Sequence, residues 1–255
     1  MVDIMTDRPT LRPVSETWQR ALAVIAHPDD MEFGASAAVA RWTSQGKDIA
    51  YCLVTSGEAG IDSIPPDECR MLRQEEQRRS CEIVGVTEVE FLGFPDGVLE
   101  YGVPLRQAIA GAIRRFRPEI VITNNFQPSW GGAALNQSDH IVTGRATLDA
   151  ARDAGNRWVF NEQIVDGLEP WGGVTQVWAA GSPLAAHGVD TTDFFAAGVE
   201  SLRAHQGYID GLGWENFDPA EFLEGAARPA GVALGTTFGS RFEVFHLAWG
   251  ATDDD

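Results

Sequence analysis

The chain has 255 residues, 44% of them hydrophobic and 22% charged, enough apolar material for a sizeable core and too much for a disordered chain. Its 37 Asp and Glu against 19 Lys and Arg give a formal net charge of -18, a field that repels nucleic-acid backbones and anionic membrane surfaces and excludes both as default partners. The length suits one large α/β unit over residues 1–255 better than two equal ones.

No stretch holds the ~18 to 20 uninterrupted apolar residues of a spanning helix. Asp3, Asp7, Arg8, Arg12, Glu16 and Arg20 break up the first twenty residues, a pattern unlike a secretory signal, so a cytoplasmic location is expected. Cys52, Cys69 and Cys81 form no C-x-x-C pair, which fits buried thiols in a reducing compartment.

Residues 1–19 read as a loose lead-in arm. Residues 21–26 (ALAVIA) are a continuous apolar run that stops at His27-Pro28-Asp29-Asp30, the pattern of a strand buried on both faces in a parallel sheet. Residues 33–44 are Ala-rich, with Val39 and Trp42 at helical spacing and Gly46 just beyond. Residues 49–54 (IAYCLV) give a second strand, and 55–60 its polar loop. Residues 67–84 predict a highly charged helix with Met71, Leu72, Ile83 and Val84 as core contacts and Gly85 as its stop. A third strand is expected at 89–92, a turn at 93–97, and a helix at 105–116 that ends before Arg117-Pro118, because the residue preceding proline avoids the helical region. Residues 119–123 (EIVIT) make a fourth strand.

This alternation predicts a Rossmann-like, mostly parallel sheet with right-handed crossovers and helices on both faces. Later elements are a helix at 140–154, a strand at 174–180, one helix over 192–209, a lid or rim at 211–233 and a last element at 242–249. Residues 20–155 thus form the motif-bearing core and 156–255 a substrate-side extension.

In an open parallel sheet, ligands bind at the carboxyl ends of the strands, and polar residues follow each of the first four. His27 and Asp30, three apart on a turn stiffened by Pro28, can offer an imidazole nitrogen and a carboxylate oxygen to one metal. A catalytic zinc needs three protein ligands and an open position, and His140, after the fourth strand, is the natural third. Asp29 diverges from its neighbour and is left to act as general base. On residue chemistry alone, an ordinary turn with two aspartates stays open.

The string Ala26-His27-Pro28-Asp29-Asp30-Met31-Glu32 resembles the A-H-P-D-D-x-E signature of the PIG-L, or LmbE-like, family of metal-dependent N-deacetylases. The likeness continues through residues 54–60, through Arg73, Glu76, Ser80 and 84–86 on one helix, through 91–97 and 117–123, and into Ser138-Asp139-His140. The resemblance implies an LmbE-like three-layer sandwich and a hydrolase acting on linear amides. It implies Zn²⁺, or another divalent metal such as Fe²⁺, on His27, Asp30 and His140, with Asp29 as base to an activated water. Arg73 and Asp96 map onto substrate-binding positions, with a surface ion pair to Glu76 or Glu75 and an ordinary turn residue as their respective alternatives. Glu32 and Asp139 are expected behind the ligands, Glu32 orienting His27. The implied substrate is a small soluble N-acetylated sugar or conjugate, and a homo-oligomer is compatible with this.

One position departs from the family. Its box usually begins with a histidine, and Gln137 stands there; an amide can still donate to a developing oxyanion but carries no titratable proton. Proton delivery then falls to Asp29 or to another group such as His205. The departure supports a second reading, a metal- and sugar-binding protein with impaired catalysis. A third, a dinucleotide-binding domain, is opposed by the absence of G-x-G-x-x-G after the first strand.

Overall fold

The continuous apolar runs become the middle of one eight-stranded sheet in a computed structural model that describes residues 10–248. In chain order the strands are β1 (Arg12–Pro13), β2 (Arg20–Ile25), β3 (Asp48–Leu53), β4 (Glu88–Phe91), β5 (Ile120–Asn124), β6 (Gln176–Ala180), β7 (His187–Asp190) and β8 (Gly239–His246). Across the sheet they run β1-β7-β8-β6-β5-β2-β3-β4. All neighbours are parallel except β8, which is antiparallel to both β6 and β7.

The helices are α1 (Ser36–Ser44), α2 (Pro66–Ile83), α3 (Val103–Phe116), α4 (Ser138–Asp153), α5 (Asn161–Val165), α6 (Phe195–Arg203), α7 (Gln206–Gly211) and α8 (Pro219–Leu234). None of the described helices is long and apolar enough to cross a membrane. Alternation along β2 explains the two-sided core. Ala21, Ala23 and Ile25 face one layer with Trp42 of α1, Tyr51 and Trp178. Leu22 and Val24 face the other, with Ile109 and Ile113 of α3 and Ala150 of α4. Helices therefore cover both faces, as the α/β alternation predicts. Cys52, Cys69 and Cys81 are buried free thiols, and burial pushes the Cys52 and Cys81 thiols up.

Several elements differ from expectation. Arg12–Pro13, inside the expected arm, pairs with β7. The helix expected from residue 33 starts at Ser36, because the Met31 carbonyl accepts from the N–H groups of Gly34, Ala35 and Ser36 and prolongs the turn. The 192–209 helix is a short 3₁₀ turn followed by α6 and α7, broken around Ala204 and His205. The expected lid or rim carries α8, and the last strand begins at Gly239; Trp249 of the expected 242–249 element and the last six residues lie outside the described residues.

Met71 and Ile83 are exposed rather than core contacts, while Val84 is buried. The buried face of α2 is instead Cys69, Arg73, Glu76, Gln77, Ser80 and Cys81. That polar stripe leans on the turn after β2 and on α6 and α7. Because β3 and β4 lie on one side of β2 and β5 on the other, the order in which strands are added to the sheet reverses at the parallel β2–β5 pair. A crevice at the carboxyl ends is expected there.

Candidate active site

The turn leaving β2 is built by side chains reaching back to backbone. Asp30 Oδ2 accepts from the His27 N–H at 2.8 Å. Asp29 adopts φ +80°, a left-handed conformation costing an L-residue about 1–2 kcal/mol. It is held there from α2: Gln77 Oε1 accepts from the Asp29 N–H at 3.0 Å, and an Arg73 Nη2–H donates to the Pro28 carbonyl at 2.7 Å. Arg73 also pairs with the Asp29 carboxylate and donates to the Gly57 carbonyl at 3.0 Å. The alternative pairing with Glu76 is not formed; Glu76 accepts from the Gly207 N–H at 2.6 Å.

At the far side of the crevice, α4 opens with Gln137 in the capping position and carries Asp139 and His140 in its first turn. His140 Nε2 lies 2.9 Å from Asp30 Oδ1, and His140 Nδ1 lies 3.0 Å from Asn136 Oδ1. His27 Nδ1 lies 3.8 Å from Asp30 Oδ2. One ligand atom from each of His27, Asp30 and His140 falls within 4.8 Å of the others. The far nitrogen of His27, Nε2, faces Asp96 Oδ1 at 2.9 Å and Asp139 Oδ2 at 3.5 Å. Both carboxylates are anchored in turn: Asp96 accepts from the Ala59 N–H, and Asp139 from the N–H groups of Gly97 and Leu99.

The three expected ligands and Asp29 are therefore brought together, and Asp139 stands behind His27. Glu32 takes a different place from the one expected. Its Oε1 accepts from Gln77 Nε2 at 2.9 Å and from the Ser80 hydroxyl at 2.6 Å, so the groups facing the far nitrogen of His27 are Asp96 and Asp139, and Glu32 supports Asp29 through Gln77. Arg73 and Asp96 both line the cavity, although each is held by protein partners. His205 is fully buried, 3.8 Å from Glu32 Oε2 and outside the cavity wall. Burial and the nearby Arg73 and Arg79 press its pKa down to about 3, and its burial outside the cavity wall keeps it from contact with a substrate there. Gln77 and Asn136 are site residues that the sequence reading missed. Each stands four residues from a site residue on or beside a helix, Gln77 after Arg73 and Asn136 before His140, and that spacing was the available signal.

Carboxyl groups crowd the crevice beside the Arg73 guanidinium. Burial raises the Asp30 carboxyl, but His140 and His27 beside it outweigh that and hold it well below the usual carboxylate range. Burial opposes the charge on His27, yet Asp139, Asp30 and Asp96 drive its pKa well upward. Burial pushes Asp29 up to about 8 despite Arg73, with Asp30 adding to the rise. Burial likewise lifts Glu32 to about 7 against its hydrogen bonds from Ser80 and Gln77. Around these groups lies a cavity of about 680 Å³, also lined by Gln137, Trp130 and Tyr208. The Tyr208 ring lies under the Arg73 guanidinium at 3.9 Å.

Known proteins of similar sequence are deacetylases and amidases. Diacetylchitobiose deacetylase from Thermococcus kodakarensis is 28% identical over 203 residues, covering 79% of this chain and 74% of that one. A 1D-myo-inositol 2-acetamido-2-deoxy-alpha-D-glucopyranoside deacetylase from Corynebacterium glutamicum is 25% identical over 218 residues, 73% of each chain. Among solved structures, N,N'-diacetylchitobiose deacetylase from Pyrococcus horikoshii superposes with a TM-score of 0.82 at 21% identity, over 92% of this chain and 89% of that one. The same fold also appears in GalB, the 4-carboxy-2-hydroxymuconate hydratase of Pseudomonas putida, with a TM-score of 0.72 at 18% identity over 92% and 99% of the chains, so fold alone does not fix the reaction. Residues 22–151, which contain the β2 turn, α2 and the start of α4, match the PIG-L family described as GlcNAc-PI de-N-acetylase, and to that family the chain belongs.

Proposed function

We propose that the chain is a metal-dependent amidohydrolase that removes an N-acetyl or other N-acyl group from an amino sugar or a soluble conjugate of one. The observation that carries this reading is the convergence of His27, Asp30 and His140 at the mouth of the β2–β5 crevice. Two imidazole nitrogens and one carboxylate oxygen, in a pocket lined by three aspartates, suit Zn²⁺ with a position left open, and Fe²⁺ accepts similar donors. When bound, the ion supplies a Lewis acid for the amide carbonyl and lowers the pKa of a water.

The chain's own residues supply the remaining chemistry. Asp29 is the general base: it takes a proton from the attacking water and passes it to the leaving amine nitrogen. Burial pushes its carboxyl up, which favours holding the proton between the two transfers. Arg73 positions that carboxylate through its ion pair. Gln137 lines the cavity, and its side-chain amide donates a hydrogen bond to the oxyanion as it develops. Asp96 contacts sugar hydroxyls, and Asp139 orients His27.

An acetate-release screen over diacetylchitobiose, GlcNAc-inositol and GlcNAc-malate, with metal content measured in parallel, tests the reading. Acetate release that is lost in His27→Ala is expected; a metal-loaded chain inert on every N-acyl amino sugar would overturn it. Gln137 in place of the family histidine supports the rival, a chain that keeps the metal and sugar pocket with little turnover. A large gain in turnover from Gln137→His would favour that impaired form.

A further inference from the structure

We infer that the substrate carries, besides its amino sugar, an apolar substituent that seats against α1, α6 and α8. The inference rests on the amidohydrolase reading and deepens it. The catalytic wall of the cavity presents imidazole, carboxylate and guanidinium groups. The rest includes Ala35 and Ala37 at the start of α1, Phe195 and Gly198 of α6, and Leu223 and Ala226 of α8. None of these side chains can form a hydrogen bond.

These helices meet one another directly, α6 touching both α1 and α8. A Cβ on Gly198 would stand 2.9 Å from the Ala37 Cβ, so the α1–α6 seam is closed and the small residues form a floor, not a gap. The nearby Ser36 hydroxyl already donates to the Gly198 carbonyl at 3.5 Å. Thr191 and Ser240 add hydroxyls where β7 gives way to the start of β8.

Both faces of α8 hold apolar side chains: Pro229, Val232 and Ala233 lie beside Glu221, Glu224 and Arg228 on one, and Phe222, Leu223, Ala226 and Ala227 line the cavity on the other. Phe222 nevertheless remains 47% exposed and the neighbouring cavity-lining Trp214 51% exposed. Apolar surface directed at a cavity and left uncovered by the protein is surface for a ligand to cover. Thr191, Ser240 and Arg241 also line the cavity, but a second sugar ring seated against the apolar side chains would leave the hydroxyls that face them without partners, which is unfavourable for each one buried. An alkyl or aryl group has no such demand. It can be the N-acyl chain that is removed or an aglycone that is retained.

The test uses the zinc-loaded full chain and two pairs of probes: N-acetyl- against N-octanoyl-glucosamine, and methyl against octyl 2-acetamido-2-deoxyglucopyranoside. Binding is measured by calorimetry and turnover by amine release. Each methylene buried is worth about fourfold in affinity, so the octyl member of one pair should bind at least ~10-fold more tightly than its short partner. Ala226→Trp, which fills the pocket, should reduce that advantage to under ~3-fold. The pair that shows the gain identifies the source, acyl chain or aglycone. Octyl probes no better than their short partners, with the short ones still bound or turned over, would overturn the inference and leave the amidohydrolase reading standing. An octyl advantage unchanged in a folded Ala226→Trp, or in the milder Ala226→Leu, would overturn it as well. No binding and no turnover of any probe, with zinc not retained, would remove both.

Discussion

Gln77 joins the strained turn to the buried carboxylate behind it, and its truncation should lower stability and turnover together. The side chain is fully buried, with its carbonyl accepting from the Asp29 N–H and its amide donating to Glu32 Oε1. Gln77→Ala removes these two hydrogen bonds, worth about 1 kcal/mol each, together with a weaker one from its amide to the Cys81 sulfur, and strands a buried N–H whose desolvation costs about 1–3 kcal/mol. That N–H belongs to the residue at φ +80°, whose conformation is itself unfavourable by about 1–2 kcal/mol and is freed to relax. With partial relaxation, the net loss should be about 2–4 kcal/mol. Urea unfolding of the metal-loaded protein reads it as a lower midpoint with an unchanged slope. Since Asp29 would leave its position, kcat/KM should fall by at least ~10-fold. Gln77→Glu keeps the acceptor for Asp29 but places a second carboxylate against Glu32, so its turnover should exceed that of Gln77→Ala if anchoring Asp29 is what matters. Gln77→Ala within about 0.5 kcal/mol of the parent, with full turnover, would refute the argument.

Other perturbations have equally definite outcomes. Asp29→Asn should lower turnover by ~10²–10⁴-fold with metal content unchanged, as read by steady-state kinetics and elemental analysis. Gly57→Ala places a Cβ 2.1 Å from Arg73 Nη1 at a backbone φ of +63°, so it should cost about 2–4 kcal/mol in thermal or urea unfolding. Trp42→Ala, in the cluster with Trp18, Trp178 and Phe242, should cost about 3–5 kcal/mol by the same measurement. Burial raises the Glu16 carboxyl, but hydrogen bonds and charge from Arg41 and the Trp42 N–H bring it below its ordinary 4.5. Its contribution is therefore present above that value and is lost as pH falls through the lower folded value. The stability gap between the parent and Glu16→Gln should accordingly narrow as the pH falls below 4.5.

What was legible in the sequence follows from the physics of each segment. β2, β3 and β5 are buried on both faces, so they read as continuous apolar runs bounded by polar turns. β7 has Val189 as its one bulky apolar residue and β1 spans two residues, so neither carries a hydrophobic pattern; tertiary pairing makes them strands. α2 misled for the opposite reason. Its buried stripe is polar, because it packs on the active-site turn as well as on the core, and a search for apolar contacts selected Met71 and Ile83, which face solvent. The His27, Asp30 and His140 set was legible because two members share one turn and the third opens the helix after the adjacent strand. Gln77 and Asn136 carried only their four-residue spacing from Arg73 and His140 as a signal, since an uncharged amide on or beside a polar helix otherwise looks in sequence like one exposed to water. The break at His205 escaped notice because Phe194, Phe195, Val199 and Leu202 preserve helical spacing up to it.

The proposed chemistry requires His27, Asp30 and His140 to hold one divalent ion. Elemental analysis of the full chain after zinc loading and desalting, beside His27→Ala and His140→Ala, tests that most directly. The prediction is close to one zinc per parent chain and almost none in either variant, with both variants folded by circular dichroism. A parent chain that retains no metal, or variants that retain as much as the parent, would contradict it.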